Sequence, residues 1–182
     1  MEYLDIVDEQ GQPTGEIISR TLAHTEGIRH RTAHIWIVRR ENEHFQVLMQ
    51  KRAMSKDSFP GKYDTSSAGH IQAGDEPLAS GLRELAEELG IHAKPEDLAF
   101  AGCIHGNFAE EFHGKIFRDN EIAFVYVYQQ PVNIETLVLQ KEEVESVRWF
   151  DLEETYQNCQ NRNTQFCASV PGLEVVRQYL YS

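Results

Sequence analysis

Three carboxylates, Glu84, Glu87 and Glu88, crowd one short stretch of the run Gly69 to Ile91, GHIQAGDEPLASGLRELAEELGI. On a helix Glu84 and Glu88 are i,i+4 neighbours, so their carboxylates converge on one centre. Like charges at that spacing repel in a bare helix, and a cation between them turns the penalty into a site. All-oxygen ligation with retained water suits a hard divalent ion, Mg²⁺ with Mn²⁺ as a substitute. Such an ion neutralises a phosphate chain and lowers the pKa of bound water. Glu84 and Glu88 are therefore expected to face solvent and ion, with Glu87 assisting. A Glu-rich turn is more often a solvated helix face, but here a turn, a cap, an arginine and a stop glycine accompany it at set spacings.

The elements that position these groups are legible. Leu78, Leu82, Leu85 and Leu89 fall on one stripe at helical spacing, with Glu87 opposite. Pro77 suits the first turn, Asp75 or Glu76 the N-cap, and Gly90 the left-handed residue that ends the helix. Gly81 is expected to project beside Glu84 and Glu88, its missing side chain leaving room for a metal and its waters.

Upstream, the strand-like FQVLMQ (45–50) runs into KRAMSKDSFPGKYD, which carries Lys51, Arg52, Lys56 and Lys62. Arg29 and Arg31 form a second basic cluster before the apolar run 33–38. Arg52, at a strand end turning toward the carboxylates, has the planar fork that takes two phosphate oxygens. Lys62 reads as a solubilising charge.

The rest of the chain supports one domain over 1–182. YLDIVDEQGQPTGEIIS reads as a hairpin within about residues 1–20, around Gly11-Gln12-Pro13. Strands are expected at 33–38, 45–50, 98–104, 121–129 and 146–150, and closing helices near 152–160 and 173–180. EIAFVYVYQ is β-rich and nearly continuous, as in a strand covered on both faces. HGNFAEEFHGKIF (105–117) reads as a loop or hairpin over the site, its histidines at the surface. Strands interleaved with few helices imply an α/β fold, a mixed sheet with helices on each side.

Composition sets the broad class. The formal net charge of −12 argues against a nucleic acid polymer as partner. No apolar run approaches a membrane span, and the acidic N-terminus is unlike a signal peptide. Three scattered cysteines, Cys103, Cys159 and Cys167, are no disulfide framework and point to a reducing, cytoplasmic setting. The expected partner is a small-molecule diphosphate, met by a monomer or a homodimer.

The run 69–91 resembles the Nudix box: Gly69, five residues, Asp75, seven residues, then Arg83-Glu84-Leu85-Ala86-Glu87-Glu88-Leu89-Gly90-Ile91. Asp75 stands where that family has Glu, one methylene shorter for reaching Arg83. The resemblance implies the Nudix α/β/α sandwich and hydrolysis of a diphosphate linkage. From Tyr3 to about Trp149 the chain also looks like the branch related to type I isopentenyl-diphosphate isomerase, through AHTxxxRH, KRAxSKxxFPGxYxTSxAGH and DNE before a strand. That likeness implies that Arg52 and Lys56 grip the diphosphate. It also places His24, His30, His70, Asp119 and Glu121 at or near metal-ligand positions. The isomerase's catalytic cysteine is Ala68 here, which relays no proton, whereas Arg83, Glu84, Glu87 and Glu88 are complete. The expected function is hydrolysis of a nucleoside diphosphate derivative or related organic diphosphate. Arg83 holds the helix carboxylates, and Glu88 or Glu121 accepts the proton of the attacking water. The alternatives are an isopentenyl-diphosphate isomerase and a non-catalytic diphosphate-binding module. Tyr3, Phe59, Tyr63, Phe108 and Phe112 are candidates to stack on a base or to pack.

Overall fold

The computed structural model describes residues 1–182. Its elements are β1 (Tyr3–Val7), β2 (Pro13–Ser19), α1 (Arg20–Glu26), β3 (His30–Glu41), β4 (His44–Arg52), β5 (Tyr63–Asp64), β6 (Ser67–His70), α2 (Pro77–Leu89), β7 (Leu98–Phe112), β8 (Lys115–Tyr128), β9 (Val144–Asp151), α3 (Leu152–Gln160) and α4 (Val170–Tyr181). β1 and β2 form a hairpin of their own. The other strands make a mixed sheet in the order β5-β4-β3-β8-β7, with β6 on β3 and β9 on β4. β3 and β8 run parallel at its centre.

Alternation along β3 explains the layers. Ala33, Ile35 and Ile37 point to α2, where they bury Leu85 and Leu89. Trp36 and Val38 point the other way, to Leu152 of α3 and to Leu173 and Val176 of α4. β8 serves both faces, with Tyr126 and Tyr128 in one cluster and Ala123, Val125 and Val127 in the other. Each fully buried leucine contributes roughly 2 kcal/mol of apolar burial, so the α2 stripe clamps the carboxylate helix against the sheet.

Helix α2 begins with Pro77 in its first turn and ends at Gly90, whose φ of 70° is left-handed. Glu76 occupies the N-cap without a side-chain cap hydrogen bond. Gly81 corrects one expectation. A Cβ there would meet Ile35 Cδ1 at 3.4 Å and Leu98 Cδ1 at 3.5 Å. The residue lets the helix approach the sheet and leaves no room for an ion.

Helix α1 is absent from the sequence reading because it has little apolar face: Ala23 and His24 are its buried residues. Local chemistry makes it instead. Ser19 accepts a hydrogen bond from the Leu22 amide, and Gly27 (φ 73°) closes it. The 105–117 segment is a hairpin, as one of the two expected alternatives had it. β3 pairs with β8 only from Glu121 onward, so the outer part of β7–β8 is a free two-stranded ribbon turning at His113 (φ 52°) and Gly114 (φ 74°). His113 Nε2 donates to the Lys56 carbonyl at 2.8 Å. Phe59 packs on Phe108 and Phe112 with centroids 5.4 and 4.7 Å apart. The ribbon tip is thereby docked on the β4–β5 loop.

Candidate active site

A cavity of about 1040 Å³ lies between α2, the ends of β3, β6 and β8, and the ribbon. Glu84, Glu87, Glu88, Arg52, Lys56 and Glu121 all line it. The Glu84 carboxylate occupies the space where a side chain on residue 69 would be, so any side chain there displaces it. Burial, then the charges of Glu88 and Glu87, raise Glu84 to about 8 against the pull of Arg83. That strain among like charges is what a bound cation relieves.

Glu88 departs from expectation. It is 4% exposed. Its Oε1 accepts from Ser67 Oγ at 2.7 Å and the Ala68 amide at 3.0 Å, and its Oε2 accepts from Gln50 Nε2 at 3.1 Å. Burial raises its pKa, and those three donors oppose the rise. Glu88 is thus held from beneath by β4 and β6, while Glu87 is exposed, 3.9 Å from Arg83. Gln50 and Ser67 escaped the sequence reading because a strand glutamine and a serine before Ala68 carry no spacing signal. Arg83 does not line the cavity. It bonds Asp75 at 2.8 Å, the His70 carbonyl at 3.2 Å and Glu84 at 3.4 Å. The shorter Asp75 therefore reaches it.

The basic patch is more committed than its sequence suggests. Arg52 donates to Ser58 O at 2.9 Å, Ser58 Oγ at 3.2 Å and Asp64 at 3.2 Å, so its fork organises the β4–β5 loop as well as bordering the cavity. Lys56 is paired with Glu143. Arg31 is no surface charge: it is buried against Asp5 at 3.1 Å. Tyr63 packs on Phe150 and Phe166 and is unavailable for stacking. Arg20, for which the sequence carries no signal, lines the cavity; its buried Nε makes no hydrogen bond and lies 3.8 Å from Glu2, while its Nη2 bonds Asp57 at 3.2 Å.

Deeper in, α1, β3, β6 and β8 bring together His24, His30, His70 and Asp119. His24 Nδ1 and His30 Nδ1 bond the carbonyls of Arg118 and Ile28 at 3.1 and 2.9 Å, which turns both Nε2 lone pairs inward. His24 Nε2 lies 3.0 Å from His70 Nε2. Asp119 Oδ1 is 3.6 Å from His24 and from His30. His30 Nε2 and Asp119 Oδ1 are buried without hydrogen-bond partners. Burial, then His30, pushes His24 down to about 4 and lowers His70, and burial lowers His30 itself. Burial and Glu121 raise Asp119 to about 9. Neutral imidazoles with converging lone pairs and an orphaned carboxylate oxygen fit a divalent metal. These ligand atoms group as His24, His30 and His70, and as His30, Asp119 and Glu121.

Comparison with known proteins places this arrangement. Residues 28–167 match the NUDIX domain family. An uncharacterized Nudix hydrolase of Clostridium acetobutylicum is 40% identical over 161 residues, 88% of this chain and 75% of that protein. Nudix hydrolase 3 of Arabidopsis thaliana is 40% identical over 159 residues, 86% of this chain but 20% of that much longer protein. Among solved structures, a Deinococcus radiodurans protein superposes with a TM-score of 0.68 at 19% identity, covering 98% of this chain and 99% of that one. The NUDIX domain of Shewanella oneidensis NrtR, complexed with ADP ribose, superposes at 0.60 with 15% identity, covering 90% and 99%. No helix is long and apolar enough to cross a membrane. With the family's sequence match spanning most of the chain and its fold around the carboxylate helix, the chain belongs to the Nudix hydrolases, which generally use divalent metal ions.

Proposed function

We propose that this chain hydrolyses the diphosphate linkage of a nucleoside diphosphate derivative or related organic diphosphate, with Mg²⁺ as the ion and Mn²⁺ able to replace it. The observation that carries the reading is Glu84, packed against Gly69 and raised to about 8 by burial and its fellow carboxylates, in the cavity that Arg52 and Lys56 border. Glu84 and Glu88, with Glu87 at the rim, are the ligands proposed on α2. His24, His30, His70 and Asp119 form a second donor set. A bound ion supplies charge neutralisation of the diphosphate and a more acidic water.

The chain's own residues do the rest. Arg83, anchored on Asp75 and the His70 carbonyl, orients Glu84. Arg52, Lys56 and Arg20 direct N–H donors at phosphate oxygens. Of the two proton acceptors considered, Glu121 is favoured over Glu88. Three donors already occupy Glu88, whereas burial of Glu121 is outweighed by His34 and His30, which keep it below the usual carboxylate range. The ADP ribose held by the Shewanella domain supports a nucleoside diphosphate derivative as the first substrate class to try.

The test is a panel of nucleoside diphosphate sugars, dinucleoside polyphosphates and isopentenyl diphosphate, incubated with Mg²⁺, Mn²⁺ or EDTA and read by mass. Metal-dependent release of a monophosphate is expected. Dimethylallyl diphosphate formed from isopentenyl diphosphate at enzyme-like rates would place the chain among isomerases instead.

A further inference from the structure

Glu121 is level with His30 where β8 pairs with β3, yet its carboxylate is tied to His34, further along the same strand. His34 Nε2 lies 3.2 Å from Glu121 Oε1 and 3.2 Å from Thr32 Oγ1. Alternation puts Thr32 and His34 on one face of β3, and both line the main cavity. Opposite His34 in the β3–β6 pair stands Ala68, whose methyl leaves the flank of the ring open. The other ring nitrogen, Nδ1, is buried with no partner.

This is a costly way to fill a strand position. A residue that only packed here would be apolar, because an unmatched buried nitrogen carries a desolvation penalty with no return. What the imidazole provides is direction. A carboxylate can rotate about its last bond, and a buried one needs a donor to stay ionised. With Oε1 paired to His34 Nε2 at 3.2 Å and Asp119 beside it, the Glu121 carboxylate has one preferred rotation, and its second oxygen keeps one bearing.

Given the hydrolase reading above, on which this rests, we propose that His34 is a positioning residue: it fixes the rotation of the Glu121 carboxylate so that the other oxygen, on the side of Asp119, meets the attacking water, while the Thr32 hydroxyl oxygen accepts a share of the same Nε2–H. In that step the water oxygen bonds to phosphorus. The P–O bond to the leaving phosphate breaks, and the water's proton passes to the Glu121 oxygen that His34 does not hold. His34 itself touches neither substrate nor water.

A double-mutant cycle on the full chain tests this, using a diphosphate that the wild type hydrolyses. Substituting a group that orients a reacting residue costs about 10- to 100-fold, so His34→Leu should lower kcat by that factor while KM moves less than about threefold. In a Glu121→Gln background the same change should cost almost nothing, because coupled sites are not additive. His34→Gln, whose amide N–H reaches about as far as Nε2, should recover most of the loss. Should the leucine variant not fold, His34→Asn, too short to reach Oε1, takes its place in the cycle. Equal losses in both backgrounds, or a loss confined to KM, would overturn the proposal.

A second arm needs no turnover. In long-range ¹H–¹⁵N spectra of the ¹⁵N-histidine-labelled chain, His34 should carry a proton on Nε2 whose resonance moves in Glu121→Gln. A ring protonated on Nδ1 alone would overturn the pairing whatever the kinetics. A wild type that hydrolyses no diphosphate, with that resonance present and shifting, would instead remove the hydrolase reading, and with it the catalytic use of a pair that itself exists.

Discussion

His24 and His70 face each other Nε2 to Nε2 across 3.0 Å. The Arg118 carbonyl claims the other nitrogen of His24, so its inward lone pair meets a second imidazole nitrogen. Burial and the surrounding positive groups lower both rings, so neither gains a charge readily, and the 3.0 Å contact suits one neutral N–H donating to the other ring's lone pair. The fold thus holds, at close range, rings that resist becoming imidazolium.

The first prediction concerns acid stability of the metal-free chain. In the unfolded chain these histidines titrate near 6.5, whereas in the fold His24 is pushed down to about 4 by burial and then by His30. Between those values the unfolded state binds protons that the native state refuses, so stability falls as pH drops through that window. For His24 alone the loss is about 3 kcal/mol by the time pH reaches 4. Thermal melts in EDTA from pH 7.5 to 4.5 should show the decline, and His24→Gln should flatten it. An identical slope in the variant would remove His24 from the account.

The two carboxylates proposed as ligands, Glu84 and Glu88, should separate in stability even though both are proposed to be needed for turnover. Glu84 is raised to about 8, so the native state holds a proton that the unfolded chain has released. Its contribution weakens as pH rises from about 4.5 to about 8. Glu84→Gln should therefore melt higher than wild type at pH 8 in EDTA, by at least about 3 °C. Glu88→Gln should melt lower, since its new amide would face Ser67, Ala68 and Gln50 donors, at a cost of about 1–3 kcal/mol. Both should lose most of kcat at saturating Mg²⁺. Near wild-type rates in both variants would dismiss the α2 metal site.

Gly69→Ala is expected to be selective. The added methyl would overlap the Glu84 carboxylate, the far end of a flexible side chain, and would push it aside without touching the core. The melting temperature should stay within a few degrees, while turnover falls about tenfold or more as the ligand leaves its place. A variant with full activity would mean that Glu84 works from another rotamer.

Arg52→Ala and Lys62→Ala remove equal charge from one loop. Arg52 ties Ser58 to Asp64 beside the cavity, whereas Lys62 sits 5.8 Å from the Phe59 ring. Arg52→Ala should lower kcat/KM by about tenfold or more, the worth of a charge-assisted hydrogen bond, and Arg52→Lys should not restore it. Lys62→Ala should change little. Equal losses would reduce the patch to a diffuse attracting field.

What was legible in the sequence was whatever carries a period or a fixed spacing. The stripe from Leu78 to Leu89 foretells α2, and Gly90 its end. The apolar runs foretell β3, β4 and β9 to within a few residues, with β7 and β8 longer than expected because their hairpin pairing continues past the apolar stretches. Illegible were groups whose role depends on partners distant in sequence. Gln50 and Ser67 become the cradle of Glu88 only when β4 and β6 close on α2. Arg31 reads as a surface charge until Asp5 folds over it. Gly81 loses its expected role beside the carboxylates and Gly69 gains one, because a glycine's use depends on what approaches it: the sheet for Gly81 and the Glu84 carboxylate for Gly69.

The docked ribbon has a mechanical consequence. At its root Arg118 bonds the Thr25 carbonyl of α1 at 2.9 Å, and Phe117 stacks on His24 at 4.2 Å. At its tip His113 holds the backbone of Lys56. The histidine cluster and the cationic loop are thus tied to one ribbon rather than to separate loops. Shortening that strand pair would release both at once, so the order of the cavity's basic wall and that of the histidines beneath it depend on the same element.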